Sequence, residues 1–300
     1  MAGIMLTGAN GQVGWEFARQ ASIAGLPCHA LDRRHLDVAV AAAVSDAVAR
    51  LAPSAVINAA AYTNVDKAET DADTAFSVNR DGAAHLAQAC ALADIPLIHI
   101  STDYVFDGSK KTPYTESDPV SPLGIYGTSK LAGEAAVRKY CRKHVILRTA
   151  WIYGTHGHNF VKTMLRLGHE RRRIGVVDDQ FGNPTSAYDL ARAILALVGR
   201  LRSDTWPEQG FGTFHLAGEG STSWCGFART IFEIAGSSLE RVPEIEAITT
   251  SEYPTLAVRP ANSVLDCGRI ARIHGISLRP WKTALTEMLQ RTVGILSVRK

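Results

Sequence analysis

Tyr126 and Lys130, in the run Tyr126-Gly127-Thr128-Ser129-Lys130, place a phenol and an ammonium four residues apart. On a helix that spacing puts both on one face. A phenol at its ordinary pKa of about 10 relays protons poorly near neutrality, and a neighbouring cation favours the phenolate. Upstream, Ser101-Thr102 closes the apolar run Leu97 to Ser101. A hydroxyl at that strand end can donate to the same substrate oxygen as the phenol. Thr102, Tyr126 and Lys130 together describe a site that passes a proton to or from an oxygen.

A second group of residues points to what binds beside them. Thr7-Gly8-Ala9-Asn10-Gly11-Gln12-Val13-Gly14 follows the apolar run Gly3 to Leu6 and precedes a helical pattern. At a strand-to-helix turn, Gly8, Gly11 and Gly14 allow a tight bend, close approach of a pyrophosphate to the backbone, and close helix packing. The helix N-terminus adds free N–H groups and a partial positive charge. An acidic residue should end the second strand to hold a ribose, and Asp32 stands there after Cys28 to Leu31, followed by Arg33 and Arg34. Asp32 suits a free 2′-hydroxyl and Arg33 a 2′-phosphate, so NADPH and NADH both remain open. A solvated loop explains the arginines equally well.

These groups need a frame to position them. Short unbroken apolar runs at residues 3–6, 28–31, 55–58, 97–101 and 145–149 read as buried parallel strands, separated by helical stretches such as 38–50 and 74–93. That alternation predicts an α/β fold, a Rossmann-like doubly wound parallel sheet with a smaller C-terminal substrate-binding domain. Residues 1–150 are expected to form the NAD(P)-binding domain, joined by later strands near 174–190 and 211–216. Residues 151–300 are expected to be mainly the sugar-nucleotide-binding domain, a role drawn from the resemblance below.

The 300 residues are 46% hydrophobic and 20% charged, which excludes a disordered, collagenous or coiled-coil chain. A formal net charge of +3 gives no reason to expect nucleic acid. Five scattered cysteines, with no Cys-x-x-Cys pair, suit a reducing compartment. With neither a secretory leader pattern nor a membrane-length apolar run, the expectation is a cytoplasmic protein.

The glycine loop with Thr102 and Tyr126-x-x-x-Lys130 resembles the short-chain dehydrogenase/reductase superfamily, extended branch. The blocks Asn58 to Glu69, Ser101 to Gly108, Asn159 to Arg166, Asp179 to Thr185 and Arg259 to Ser263 are similar to the dTDP-4-dehydrorhamnose reductase family, and the likeness covers nearly the whole chain. The resemblance implies reduction of the C4 ketone of a dTDP-linked 4-dehydro sugar by NADPH or NADH. Tyr126 would donate the proton, Thr102 would bond the same oxygen, and Lys130 would hold the nicotinamide ribose and lower the Tyr126 pKa. It also implies cofactor contacts at Gln12, Val13, Asp37, Ala61, Tyr62 and Thr63. Substrate contacts are expected at Asp103, Val65, Asn159, Gln180, Arg259 and Asn262. Trp151, at a C-terminal strand edge, can stack on a base or pack beneath the second domain.

Other features carry less. His156-x-His158 lacks carboxylate or thiol partners at metal spacing and reads as a solvated loop, so no metal is expected. Some relatives bridge a dimer with a metal held by glutamates; Glu16 fits one position, but Arg291 and Thr292 stand where another acid would be sought. A monomer or homodimer without that metal is expected. A dehydratase would follow Thr102-Asp103 with glutamate, whereas Tyr104 stands here. A reductase for another 4-keto-6-deoxy sugar nucleotide and a non-catalytic nucleotide-binding subunit of the same fold are the remaining alternatives.

Overall fold

The computed structural model describes residues 2–203, 206–236, 239 and 241–297. In chain order, β1 (Ile4–Thr7), α1 (Gln12–Ile23), β2 (Cys28–Leu31), α2 (Ala41–Leu51) and β3 (Ala55–Asn58) alternate as the sequence predicts. Then come α3 (Val65–Ala68), α4 (Ala72–Phe76), α5 (Gly82–Leu92), β4 (Leu97–Thr102), α6 (Ile125–Tyr140) and β5 (His144–Thr149). The single helix expected over 74–93 is instead α4 and α5 joined by a π-helical turn at Ser77–Asp81. That turn sits beside the site, where such irregularities concentrate.

The second half holds β6 (Ile152–Tyr153), α7 (Phe160–Glu170), β7 (Arg173–Val177), β8 (Phe181–Gly182), β9 (Thr185–Ser186), α8 (Ala187–Leu201) and β10 (Gly212–His215). It continues with β11 (Thr222–Ser223), α9 (Trp224–Ala235), β12 (Glu244–Ile248), α10 (Gly268–His274) and α11 (Trp281–Ser297).

The main sheet has six parallel strands in the order β10-β5-β4-β3-β1-β2. The chain reverses its direction of travel between β1 and β3, and in open α/β sheets the crevice beyond the strand ends at such a point takes the ligand. On one face Ile4, Leu6 and Val145 pack against Phe17 of α1 and Leu190, Ile194 and Leu197 of α8. On the other, Met5, Val56 and Ile146 meet Val44 and Val48 of α2, Leu86 of α5 and Val137 of α6. A separate core of Val161, Met164, Ile174, Phe227, Ile231 and Leu285 holds α7, α9 and α11 over β7.

One expectation needs correcting. β7 pairs with β12, in register from Arg173↔Glu244 to Val177↔Ile248, and not with the main sheet. Its exposed Arg173 and Gly175 alternate with buried Ile174 and Val176, the pattern of a strand covered on one face only. What returns to the main sheet from this stretch is the apolar face of α8, followed by β10.

At that sheet edge His215 of β10 lies across from Arg148 and is buried. Its Nδ1 donates to the Tyr114 carbonyl at 3.1 Å, while burial and then the Arg148 charge push the imidazole down to about 4. In the unfolded chain a histidine protonates near its ordinary value, so lowering the pH favours unfolding from about pH 6.5 down to about 4 through this group. His215→Gln should therefore shrink the loss of stability between about pH 7.5 and about pH 5 by on the order of 2 kcal/mol, read from urea melts. Equal pH dependence in the two proteins would refute the assignment.

Candidate active site

The turn from β1 into α1 is built for close approach. Gly8 has φ +71°, and a Cβ on it would fall 2.4 Å from the Ala59 carbonyl; one on Gly14 would fall 2.2 Å from the Gly8 oxygen. Gly11, just ahead of α1, offers no capping side chain, and the first turn of the helix holds no acid. The free N–H groups and positive dipole end are thus left for an anion. This is the chemistry a dinucleotide's diphosphate needs, so the cradle fits that cofactor.

In front of the turn lies a cleft of about 580 Å³, lined among others by Gly11, Gln12, Val13, Ala61, Thr63, Val65, Thr102, Asp103, Tyr126, Lys130 and Trp151. A second hollow of about 240 Å³ adjoins Gly8 and Gly11 and is lined by Asp32, Arg33, Asp37, Ala61 and Tyr62. Asp32 is engaged there by its own neighbours: Asn10 Nδ2 donates to it at 2.8 Å, Arg34 Nη2 at 2.9 Å, and His35 Nδ1 sits 2.6 Å away. Arg34 and then His35 hold this carboxyl far below its usual range. Arg33 is exposed and stands 3.6 Å from Asp37.

α6 carries Tyr126 and Lys130, and several contacts fix where it starts. Gly127 lets the helix rest on the loop after β4, since a Cβ there would lie 2.2 Å from the Tyr104 carbonyl. The first helical N–H, at Ile125, donates to Glu69 Oε1 at 2.8 Å. Asn79, in the π-helical turn, accepts from the Tyr62 amide at 2.9 Å and donates to Ser129 Oγ at 2.9 Å, so one side chain ties the cofactor-side loop to α6.

Within the site, burial pushes the Tyr126 phenol up to about 12, while the neighbouring Thr102 hydroxyl, which donates to Asp103 Oδ1 at 3.1 Å, draws it down. Lys130 Nζ donates to the Ile100 carbonyl at 2.6 Å. Burial pushes its ammonium down to about 8, against the raising effect of Glu134. Desolvation is the dominant influence on the phenol, which keeps its proton at neutral pH. Burial also pushes Asp103 up to about 6, opposed by hydrogen bonds from Ser263 and Thr102. The Thr102 hydroxyl accepts from the Tyr104 amide at 3.1 Å, and the Tyr104 ring meets Tyr126 edge-on at 5.8 Å.

Trp151 has φ +45°, a strained value for a residue with a side chain. It stacks on Trp224 at 3.5 Å with the rings 6° apart, so both indoles form one wall of the cleft and one face of Trp151 is already covered. The remaining expected substrate residues are not among the cleft's lining. Asn159 caps α7 by accepting from the Lys162 amide and donates to Gln12 Oε1 and the Gly154 carbonyl. Gln180 donates to Thr250 Oγ1, and Asn262 donates to the Lys110 and Thr112 carbonyls. Arg259 pairs with Asp66 at 2.7 Å.

His156 is not simply solvated: it stacks on Trp15 at 4.9 Å and its Nε2 donates to the Asn10 carbonyl, clasping the glycine loop from the second lobe. His158 lines the cleft. Sequence reasoning missed Trp224, Tyr104 and the orienting roles of Glu69 and Asn79. Tyr104, directly after Thr102-Asp103, was within reach of inspection; Trp224 carries no local signal. Among the described residues, no group of three or more His, Cys, Asp or Glu could hold a metal ion, and no helix is long and apolar enough to cross a membrane.

The family model described as the RmlD substrate binding domain matches residues 1–293. A dTDP-4-dehydrorhamnose reductase of Sinorhizobium fredii is 42% identical over 95% of this chain and 96% of its own length. A crystal structure of a dTDP-4-dehydrorhamnose reductase from Clostridium acetobutylicum superposes with a TM-score of 0.90 at 40% identity, covering 96% of this chain and 98% of that one. Another from Bacillus anthracis, in complex with NADP, gives 0.89 at 36% identity, covering 96% and 99%. With its parallel sheet, glycine turn and Thr-Tyr-Lys cleft, the chain belongs to the dTDP-4-dehydrorhamnose reductase family.

Proposed function

We propose that this protein reduces the C4 ketone of dTDP-4-dehydro-L-rhamnose to the alcohol of dTDP-L-rhamnose, using NADPH or NADH, as the last step in supplying that sugar nucleotide. The observation that carries the reading is the convergence of Thr102, Tyr126 and Lys130 on the cleft that also receives the uncapped N-terminus of α1. Near-complete coverage by reductases at about 40% identity supports the substrate.

When bound, the reduced nicotinamide supplies the hydride. Residues of the glycine turn and the α1 N-terminus would hold its diphosphate. Asp32, Arg33 and Asp37 would meet its adenosine end, with Ala61, Tyr62 and Thr63 along its length. The Lys130 ammonium would bind the nicotinamide ribose. Thr102 and Tyr126 present two hydroxyls to one substrate oxygen, acting where negative charge develops. A phenol held at about 12 suits a donor, because it keeps its proton until an alkoxide, a stronger base, forms beside it. The lobe after Trp151 would take the nucleotide sugar, with the Trp151–Trp224 wall beside it. We place the enzyme in the cytoplasm, where its five free cysteines stay reduced.

Purified protein should oxidise NADPH or NADH, followed by loss of nicotinamide absorbance, when given dTDP-4-dehydro-L-rhamnose, and should prefer it to UDP-linked keto sugars. Cofactor binding without substrate-dependent oxidation would leave a nucleotide-binding protein and defeat the enzyme reading. Tyr126→Phe should lower kcat by about 100-fold or more while NADPH affinity changes by less than about threefold. Turnover comparable to the parent would remove Tyr126 as the donor.

A further inference from the structure

Tyr126, Lys130, Glu134 and Arg138 follow one another at four-residue spacing along α6 and so form one stripe leading away from the cleft. The proposed reaction gives Glu134 no task. Yet its carboxylate is fully buried, and it takes a two-pronged contact from Arg148 of β5, Nε to Oε1 at 2.9 Å and Nη2 to Oε2 at 2.7 Å. Ser101 of β4 donates to Oε1 at 2.6 Å, and Arg138 donates to Oε2 at 3.1 Å. Burial opposes ionisation here, and Arg148, Ser101 and Arg138 outweigh it, so Glu134 lies below the ordinary carboxylate range.

The partners of this carboxylate are chain neighbours of the reacting groups. Ser101 lies between Thr102 and Ile100, whose carbonyl receives the Lys130 ammonium. Lys130 itself is one helical turn from Glu134. Around that ammonium, α6 presents the Tyr126 phenol, Glu134 and, farther along, Arg138. β4 presents the Ile100 carbonyl and His99, which burial and the Lys130 charge keep neutral. β5 presents Arg148, whose charge Glu134 balances. Glu134 is the charge that counteracts the desolvation of Lys130.

We propose that Glu134 is a positioning residue for the reduction: pinned by Arg148 and Ser101, it keeps the Lys130 ammonium charged and seated on the Ile100 carbonyl. The proposal rests on the reading of Lys130 as a cofactor-holding group. Without Glu134, only the Ile100 carbonyl still works against the effect of burial on Lys130, and an unpaired Arg148 adds a repelling charge.

Glu134→Gln removes the charge and keeps the shape. NADPH affinity and kcat are measured from about pH 6 to about pH 9.5 for the parent, Glu134→Gln, Glu134→Asp and Lys130→Met, together with melting temperatures. The parent should lose NADPH affinity on the alkaline side, and Lys130→Met should lack that limb. In Glu134→Gln the limb should move down by about one pH unit, a loss of about tenfold near pH 9 that shrinks to within about twofold near pH 6. Glu134→Asp, which restores the charge, should bring it back. A purely structural role would lower activity and melting temperature alike at every pH, and an unmoved limb in folded Glu134→Gln overturns the proposal, as does a limb that persists in Lys130→Met. If Glu134→Gln does not fold, the double variant Glu134→Gln/Arg148→Met leaves no unpaired buried charge and reads the same limb. NADPH binding needs no sugar. A protein that shows the limb shift but reduces no sugar would sink the functional reading alone, and an active enzyme with an unmoved limb would sink this one alone.

Discussion

The nearness of α6 to the end of β4 is the constraint on which the site depends. Two hydroxyls reach one substrate oxygen only if Tyr126 and Thr102 stand side by side, and they belong to different elements with a long excursion of chain between them. Gly127 permits the approach by leaving room for the Tyr104 carbonyl. Glu69 then fixes where the helix begins, Asn79 fixes its side, and the Glu134–Arg148 pair fixes its depth. Each of these contacts is polar, directional and largely shielded from water, so each sets a position more sharply than apolar packing could.

Burial also acts on Tyr126 and Lys130 in opposite senses. It raises the phenol and lowers the ammonium, because in each case it disfavours the charged form. The phenol is thereby kept protonated well beyond neutral pH, the state from which a proton can be given away.

The fold and the grouping of Thr102, Tyr126 and Lys130 in one cleft are legible because their signals are local. A strand, a glycine turn and the start of a helix occupy adjacent residues, as do Tyr126 and Lys130, and unbroken apolar runs such as Ala55 to Asn58 mark strands covered on both faces. What stayed hidden depends on distant pairings. Arg173 to Val177 reads as a strand, but its partner at Glu244 to Ile248 decides which sheet it joins. Motif membership marks Asn159, Gln180 and Asn262 as expected ligand contacts; that their side chains also cap a helix and brace loops is visible only in the fold. The phenol's raised pKa follows from how deeply the assembled fold buries it, which no short segment encodes.

The placement of β10 bears on how the chain is made. The strand that completes one edge of the dinucleotide sheet lies at residues 212–215, although its partner β5 ends at Thr149. On a ribosome adding about 5 to 20 residues per second, the outer edge of β5 waits several seconds for its neighbour. During that interval its backbone N–H and C=O groups, on an apolar strand, form an open edge of the kind that recruits other chains.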